Sequence, residues 1–181
     1  RDVIDAVSIL APEFPRLKAA LVACEDDAKV RQVADYARGR GVGDRVIPVG
    51  FRTDMRDVLA AADFVADLSY EGLGITGTLR EAMAMGTPVL ASAAGGNPEL
   101  VVDGSSGRLV PPRDPRALSS ALAALLRDPA EARRLGRGGR ERVEEGFSSE
   151  IRLDRIESLY RSLIAERATA AARERARSAG T

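Results

Sequence analysis

From residue 17 to residue 110 the sequence alternates short apolar runs with amphipathic helical stripes, and no other feature narrows the fold as much. Residues 17–24, 45–49, 64–68, 87–92 and 108–110 read as strands. Between them lie helical patterns: Val30, Val33, Ala34 and Ala37 at i, i+3, i+4 and i+7 after Asp26-Asp27, then residues 54–62, then a run from about Thr76 to Met85 that stops at Gly86. Val3, Ile4, Val7 and Leu10 form a further stripe ahead of the first strand, ended by Pro12 and Pro15. Such alternation favours a parallel sheet covered by helices on both faces, the α/β class. Asn97-Pro98-Glu99, Asp114-Pro115 and Asp128-Pro129 each read as a capping residue followed by proline in the first turn. The last stripe carries Ile156, Leu159, Tyr160 and Leu163. One domain over residues 1–165 accounts for these patterns, and residues 166–181 read as a tail, either a solvated helix or disordered.

Composition closes off several kinds of chemistry. The 181 residues contain no His, which excludes His-based triads, imidazole acid–base work and the usual zinc sites. Lys plus Arg and Asp plus Glu both number 27, so no net field draws nucleic acid or an anionic membrane. No apolar stretch is long enough to span a bilayer. Cys24 is the single cysteine, so no disulfide framework is expected; it reads as a buried strand residue, and a reducing, cytoplasmic setting follows. The chain starts at Arg1, directly in a helical pattern, which reads as a cut and not a natural start. The weight of Arg and Ala points to a GC-rich bacterial source.

In an open parallel sheet, ligands sit beyond the carboxyl ends of the strands. The loop after Leu68 is the richest there: S-Y-E-G-L-G-I-T-G-T-L-R-E-A-M-A-M-G-T-P-V. Gly72, Gly74 and Gly77 allow backbone amides to approach an anion, and a helix starting near Thr76 points its positive end the same way. Glu71 and Glu81 flank that position. Carboxylates repel a phosphate but accept hydrogen bonds from sugar hydroxyls, so cradle plus carboxylates suits a nucleotide sugar. On composition alone the glycines shape a strand-to-helix turn equally well, and Glu81 serves equally well as a solvated helix residue. The order also departs from the G-x-G-x-x-G fingerprint. Met83 and Met85 read as core.

Five segments carry a resemblance: G-F-R-T-D-M-R-D-V-L-A-A-A-D-F, E-G-L-G, E-A-M-A-M-G-T-P-V-L-A-S, G-G-N-P-E-L-V and G-R-L-V-P-P-R-D-P. Together they resemble the C-terminal, donor-binding domain of the retaining GT-B glycosyltransferases, the family that includes sucrose synthases and many bacterial mannosyl- and glucosyltransferases. The resemblance implies a Rossmann-like domain, the C-terminal half of a GT-B fold. It implies that Glu81 binds ribose hydroxyls and that Glu71 contacts the donor sugar as the catalytic carboxylate. Backbone of Gly72, Leu73, Gly74, Ile75 and Thr76 would lie near sugar and diphosphate, and Val49, Gly50 and Phe51 against the base. It implies a nucleotide-diphosphate sugar as donor substrate, no cofactor and no obligatory metal. The acceptor would be a glycan, a lipid or a small molecule, held by an N-terminal domain missing from this chain, which could also bring the protein to the inner face of the membrane.

Two departures from the family bear on activity. Its two glutamates usually have seven residues between them; here nine, residues 72–80, separate Glu71 from Glu81. With the helix register kept, Leu73 takes the first-glutamate position, so Glu81 carries the donor reading more firmly than Glu71. The basic pair that the family sets on the diphosphate belongs ahead of the helix of Val3 and Ile4, outside the chain, so the chain alone is expected to be inactive. A catalytically lapsed binding or scaffold module is an alternative, as is another GT-B enzyme. UDP-sugar epimerases depend on His, however, and a phosphorylase would need a lysine beside the glycine-rich loop, where Lys18 and Lys29 do not lie.

Overall fold

The first helix has apolar residues on two sides, and each side enters a different hydrophobic cluster. In the computed structural model, which describes residues 1–22, 26–70 and 74–179 (side chains to 167 and at 169), α1 (Asp2–Leu10) buries Ile4, Ala6, Val7 and Leu10. Ile4 and Val7 pack with Ala37, Val42 and Val46. Ala6 packs with Leu90, Val110, Leu118, Leu125, Ala132 and Leu135. Val3 touches both groups. At ~1.5–3 kcal/mol per fully buried large aliphatic side chain, Ile4, Val7 and Leu10 together contribute several kcal/mol to the core.

The described strands follow the predicted alternation and are all parallel. β1 (Ala19–Leu21) pairs with β2 (Val46–Pro48) across α2 (Asp27–Gly39). β4 (Val89–Ser92) pairs on one side with β3 (Val65–Asp67) and on the other with β5 (Arg108–Val110). The crossovers are α3 (Met55–Ala60), α4 (Gly77–Ala84) and α5 (Asn97–Leu100). The expected α/β class with a parallel sheet flanked by helices is what the chain adopts; among the described strands the ladders form a two-stranded and a three-stranded group. β2, β3 and β4 are shorter than their apolar runs, whereas β5 matches its run of residues 108–110. Cys24 lies outside the described residues.

Helix starts follow the capping chemistry in most places. Asp26 accepts from the Lys29 amide at 2.7 Å, and Asp114 from the Ala117 amide at 2.9 Å. Asp128 accepts from the Ala130 and Glu131 amides. These open α2, α6 (Pro115–Arg127) and α7 (Pro129–Gly146). Of the two methionines read as core, Met83 is fully buried, whereas Met85 caps the end of α4 and is half-buried.

Residues Arg1–Val143 form one compact unit and Glu144–Thr181 a second. Within the second, α8 (Ser149–Ala179) stays helical past residue 165. Its Leu153, Ile156, Leu159, Tyr160, Leu163 and Ile164 are exposed.

Gly86, at φ +76°, ends α4 in the left-handed region. Its carbonyl faces Gly136 of α7 so closely that a Cβ on Gly136 would lie 2.2 Å from the Gly86 oxygen. Backbone meets backbone there, so a side chain can be admitted only if a helix moves. Gly136→Ala is expected to destabilise the fold by about 1–3 kcal/mol. Gly39→Ala, with open space around its Cβ, should be neutral or stabilising by at most about 1 kcal/mol. Paired urea denaturation curves check the contrast; equal midpoints would contradict it.

Candidate functional site

Strand register sets the ends of β3, β4 and β5 side by side: Asp67 opposite Ala91, and Ser92 opposite Val110. β4 is buried at all four positions, so Ser92, at its end, is a polar group with no access to water. Its hydroxyl donates to the Ser69 carbonyl. Asn97 Nδ2, also buried, donates to Ser92 Oγ at 3.1 Å and to the Ser92 carbonyl at 3.2 Å. The sequence pattern put Asn97 at the cap of α5. Instead Gly96 is the capping residue, and Asn97 is the first helical one. Satisfying a buried serine outweighs capping a one-turn helix, since an unpaired buried polar group costs ~1–3 kcal/mol.

Asp67, the last residue of β3, ties down the loop that follows. Its Oδ2 accepts from the Thr76 hydroxyl at 2.5 Å, and its Oδ1 from the Ser69 amide at 3.0 Å. Burial pushes the Asp67 carboxyl up, but donation from Thr76 and Ser69 outweighs it and holds the carboxyl below its usual range. Thr76 is the expected start of α4, and its hydroxyl oxygen also accepts from the Leu79 amide at 3.4 Å. Thus Thr76 offers the loop a capped, anchored helix start, its side chain engaged with protein groups on both sides.

The loops after β3 and β4 meet through backbone. A Cβ on Gly96 would lie 2.6 Å from both the Gly74 carbonyl carbon and the Ile75 nitrogen. Only glycine allows that approach, which sets Gly74 and Ile75 against Gly96 ahead of α4. Glu81 is exposed on α4, and its Oε1 is 3.6 Å from the Cβ position of Gly77. The carboxylate therefore turns back along the helix toward its positive end. Gly74, Ile75, Thr76 and Glu81 are thus gathered at one helix start. Val49, Gly50 and Phe51 follow β2, where the Val49 amide donates to the Leu21 carbonyl at 2.8 Å, and Phe51 is 84% exposed. Glu71, Gly72 and Leu73 lie outside the described residues. Among the described residues no three His, Cys, Asp or Glu side chains gather to hold a metal ion.

The strand ends also bring up residues that the sequence pattern did not single out. Asp67 had a faint signal, Asp-x-Ser after a strand, the pattern of a side chain accepting from the amide two residues on. Arg113 had none. It follows β5 at φ +58°, a left-handed conformation in a residue that is not glycine, and its guanidinium lies 4.4 Å from the ring centroid of Tyr70. A shallow recess beside it is lined by Leu68, Ser92, Val110 and Pro112. What these loops can do chemically is limited and specific: a helix start and close backbone favour an anion, while an exposed carboxylate beside them accepts hydroxyls.

Residues 1–128 match the family described as glycosyl transferases group 1. The alpha-maltose-1-phosphate synthase of Mycobacterium tuberculosis is 38% identical over 151 residues, 77% of this chain and 37% of that protein. Among solved structures, the sucrose-phosphate synthase of Thermosynechococcus elongatus is similar with a TM-score of 0.80 and 36% identity, over 92% of this chain and 43% of that one. Anabaena HepE, in complex with UDP-glucose, has a TM-score of 0.78 and 27% identity, over 88% of this chain and 44% of its own. The chain spans less than half the length of each of these relatives.

Asp67→Asn is expected to cost about 1–2 kcal/mol of stability at neutral pH by weakening bonds to a charged acceptor. Because the folded carboxyl is held low, its contribution is present above the unfolded value of about 3.9 and is lost as falling pH passes through the folded value. Urea midpoints of the two proteins should therefore differ at pH 7 and approach one another as the pH falls below the folded value of the Asp67 carboxyl. A constant gap across that range would show that the charge is irrelevant.

Proposed function

The chain belongs to the glycosyl transferases of group 1, and we propose that its strand-end site binds a nucleotide-diphosphate sugar, as the donor half of a transferase that retains anomeric configuration. The observation that carries this reading is the gathering of Gly74, Ile75 and the α4 start against Gly96, with the Glu81 carboxylate turned toward the same helix end. In this reading Glu81 accepts from the ribose hydroxyls and Glu71 contacts the sugar. Backbone from Gly72 through Thr76 runs beside the sugar and diphosphate, and the exposed ring of Phe51, with Val49 and Gly50, packs on the base. HepE bound to UDP-glucose supports the ligand class. The reaction needs a diphosphate leaving group stabilised by fixed positive charge, and in this reading the α4 start supplies part of it. No step calls for a metal.

The acceptor, a glycan, lipid or small molecule, belongs to a further, N-terminal domain of the parent protein. The exposed apolar face of α8, Ile156, Leu159, Leu163 and Ile164, suits contact with that domain. No helix of the described residues is long and apolar enough to cross a membrane, and a cytoplasmic protein is the reading that fits a lone cysteine.

Calorimetric titration of the chain with UDP, GDP and ADP tests the donor site. One nucleotide should bind saturably, and Glu81→Ala should weaken it about tenfold or more, the loss expected for hydrogen bonds to a charged group. No binding of any of the three would favour a lapsed, scaffolding module. Transfer assays on the chain and on the full-length parent should find turnover only in the parent, because orientation of the acceptor and exclusion of water need the closed cleft. Comparable rates would overturn that part.

A further inference from the structure

Arg113 occupies a position where its own side chain is a disadvantage. The segment Val110-Pro111-Pro112-Arg113-Asp114-Pro115 leaves β5 and enters α6. Three prolines set its backbone φ, and Asp114 is held by the Ala117 amide as the cap. The reversal between them falls on Arg113, the one non-glycine residue at positive φ among those described, at +58°. A turn alone would be best served by glycine, which reaches that region without steric cost. The guanidinium is used elsewhere: it lies over the Tyr70 ring, 4.4 Å from the centroid, within the ~6 Å reach of a cation–π contact. Tyr70 immediately precedes Glu71 in the chain, and Ser69, one residue earlier, is bonded to both Asp67 and Ser92. The loop after β3 is therefore tied at Ser69 through hydrogen bonds and at Tyr70 through Arg113. A strained residue on a proline-stiffened loop, reaching across to Tyr70 beside the hydrogen-bonded Ser69, is an arrangement for holding the chain in place where it leaves β3.

We propose that Arg113 is a positioning residue for the glycosyl part of the nucleotide sugar, acting by holding Tyr70 at the carboxyl edge of the sheet. This rests on the donor-site reading above. In this role Arg113 acts through Tyr70 and not on the nucleotide directly, so its loss should be felt by a nucleotide sugar more than by the nucleotide alone.

The test is calorimetric titration of the 181-residue chain with UDP, GDP and ADP, and with UDP-glucose, GDP-mannose and ADP-glucose. Variants are Arg113→Gly, Arg113→Lys, Tyr70→Ala, Tyr70→Phe, the Arg113→Gly/Tyr70→Ala pair, and Glu81→Ala as the control for the site itself. The expected result is a roughly two- to fivefold loss of nucleotide-sugar affinity in Arg113→Gly, the size of an exposed cation–π contact. Nucleotide affinity should stay unchanged, and Tm should be equal or higher because glycine relieves the backbone. Arg113→Lys and Tyr70→Phe, which keep a cation and a ring, should recover part of the loss. The double variant should lose no more than either single one. Unchanged nucleotide-sugar affinity in Arg113→Gly, with Glu81→Ala still weakened, would overturn the role of Arg113 and leave the donor site standing. Equal losses for nucleotide and nucleotide sugar would overturn it too, since Arg113 would then act on the nucleotide. Absence of all nucleotide and nucleotide-sugar binding in the unsubstituted chain would overturn the donor site, and the Arg113 role with it.

Discussion

Burial of β4 is the constraint on which the rest of the first unit depends. All four of its residues are out of water, and it is bonded to a parallel strand on each side. A parallel strand cannot be joined to its neighbour by a tight turn, so the chain must leave its end, cross a face as a helix, and return. Every such exit falls at the same edge. The loops after β3, β4 and β5 are crowded together there because β4 is central, before any requirement of a ligand enters.

Crowding at that edge has a polar cost, and the way it is met shapes the candidate site. Ser92 cannot reach water, so it draws in Ser69 from one loop and Asn97 from the other. Asp67 draws in Thr76 and the Ser69 amide. The resulting network links β3, the loop after it, the start of α4 and the start of α5, where the backbone of Gly74 and Ile75 comes up against Gly96. A rigid helix start beside close-packed backbone suits an anionic group, so the arrangement that polar satisfaction produces is the one the proposed donor site would use. α1 joins the two hydrophobic clusters, one of which holds Leu90 of β4 and Val110 of β5.

What could be read in the chain and what could not divide along physical lines. The strands, the helices and most caps were legible because apolar periodicity and capping act over a few neighbouring residues; Asp26, Asp114 and Asp128 accept where the sequence pattern puts them. Glu81 was legible as a carboxylate one turn into the helix after a glycine-bearing loop. Asn97 was misplaced because the competing partner, Ser92, is buried only once β4 is flanked by two strands. Phe51 could be assigned to a strand end, but its exposure could not, since exposure depends on what packs above it.

The sequence by itself determined the α/β class, the order of elements and the family, since each rests on local periodicity or on residues read in order. The candidate loop stood out in the same way, through its glycines and its carboxylates. Only the tertiary structure decided which loops touch. Asp67 and Thr76 are nine residues apart, and Tyr70 and Arg113 more than forty, so no local rule pairs them. Their contacts follow from strand register, which is set by burial of side chains across the whole sheet and not by any one segment.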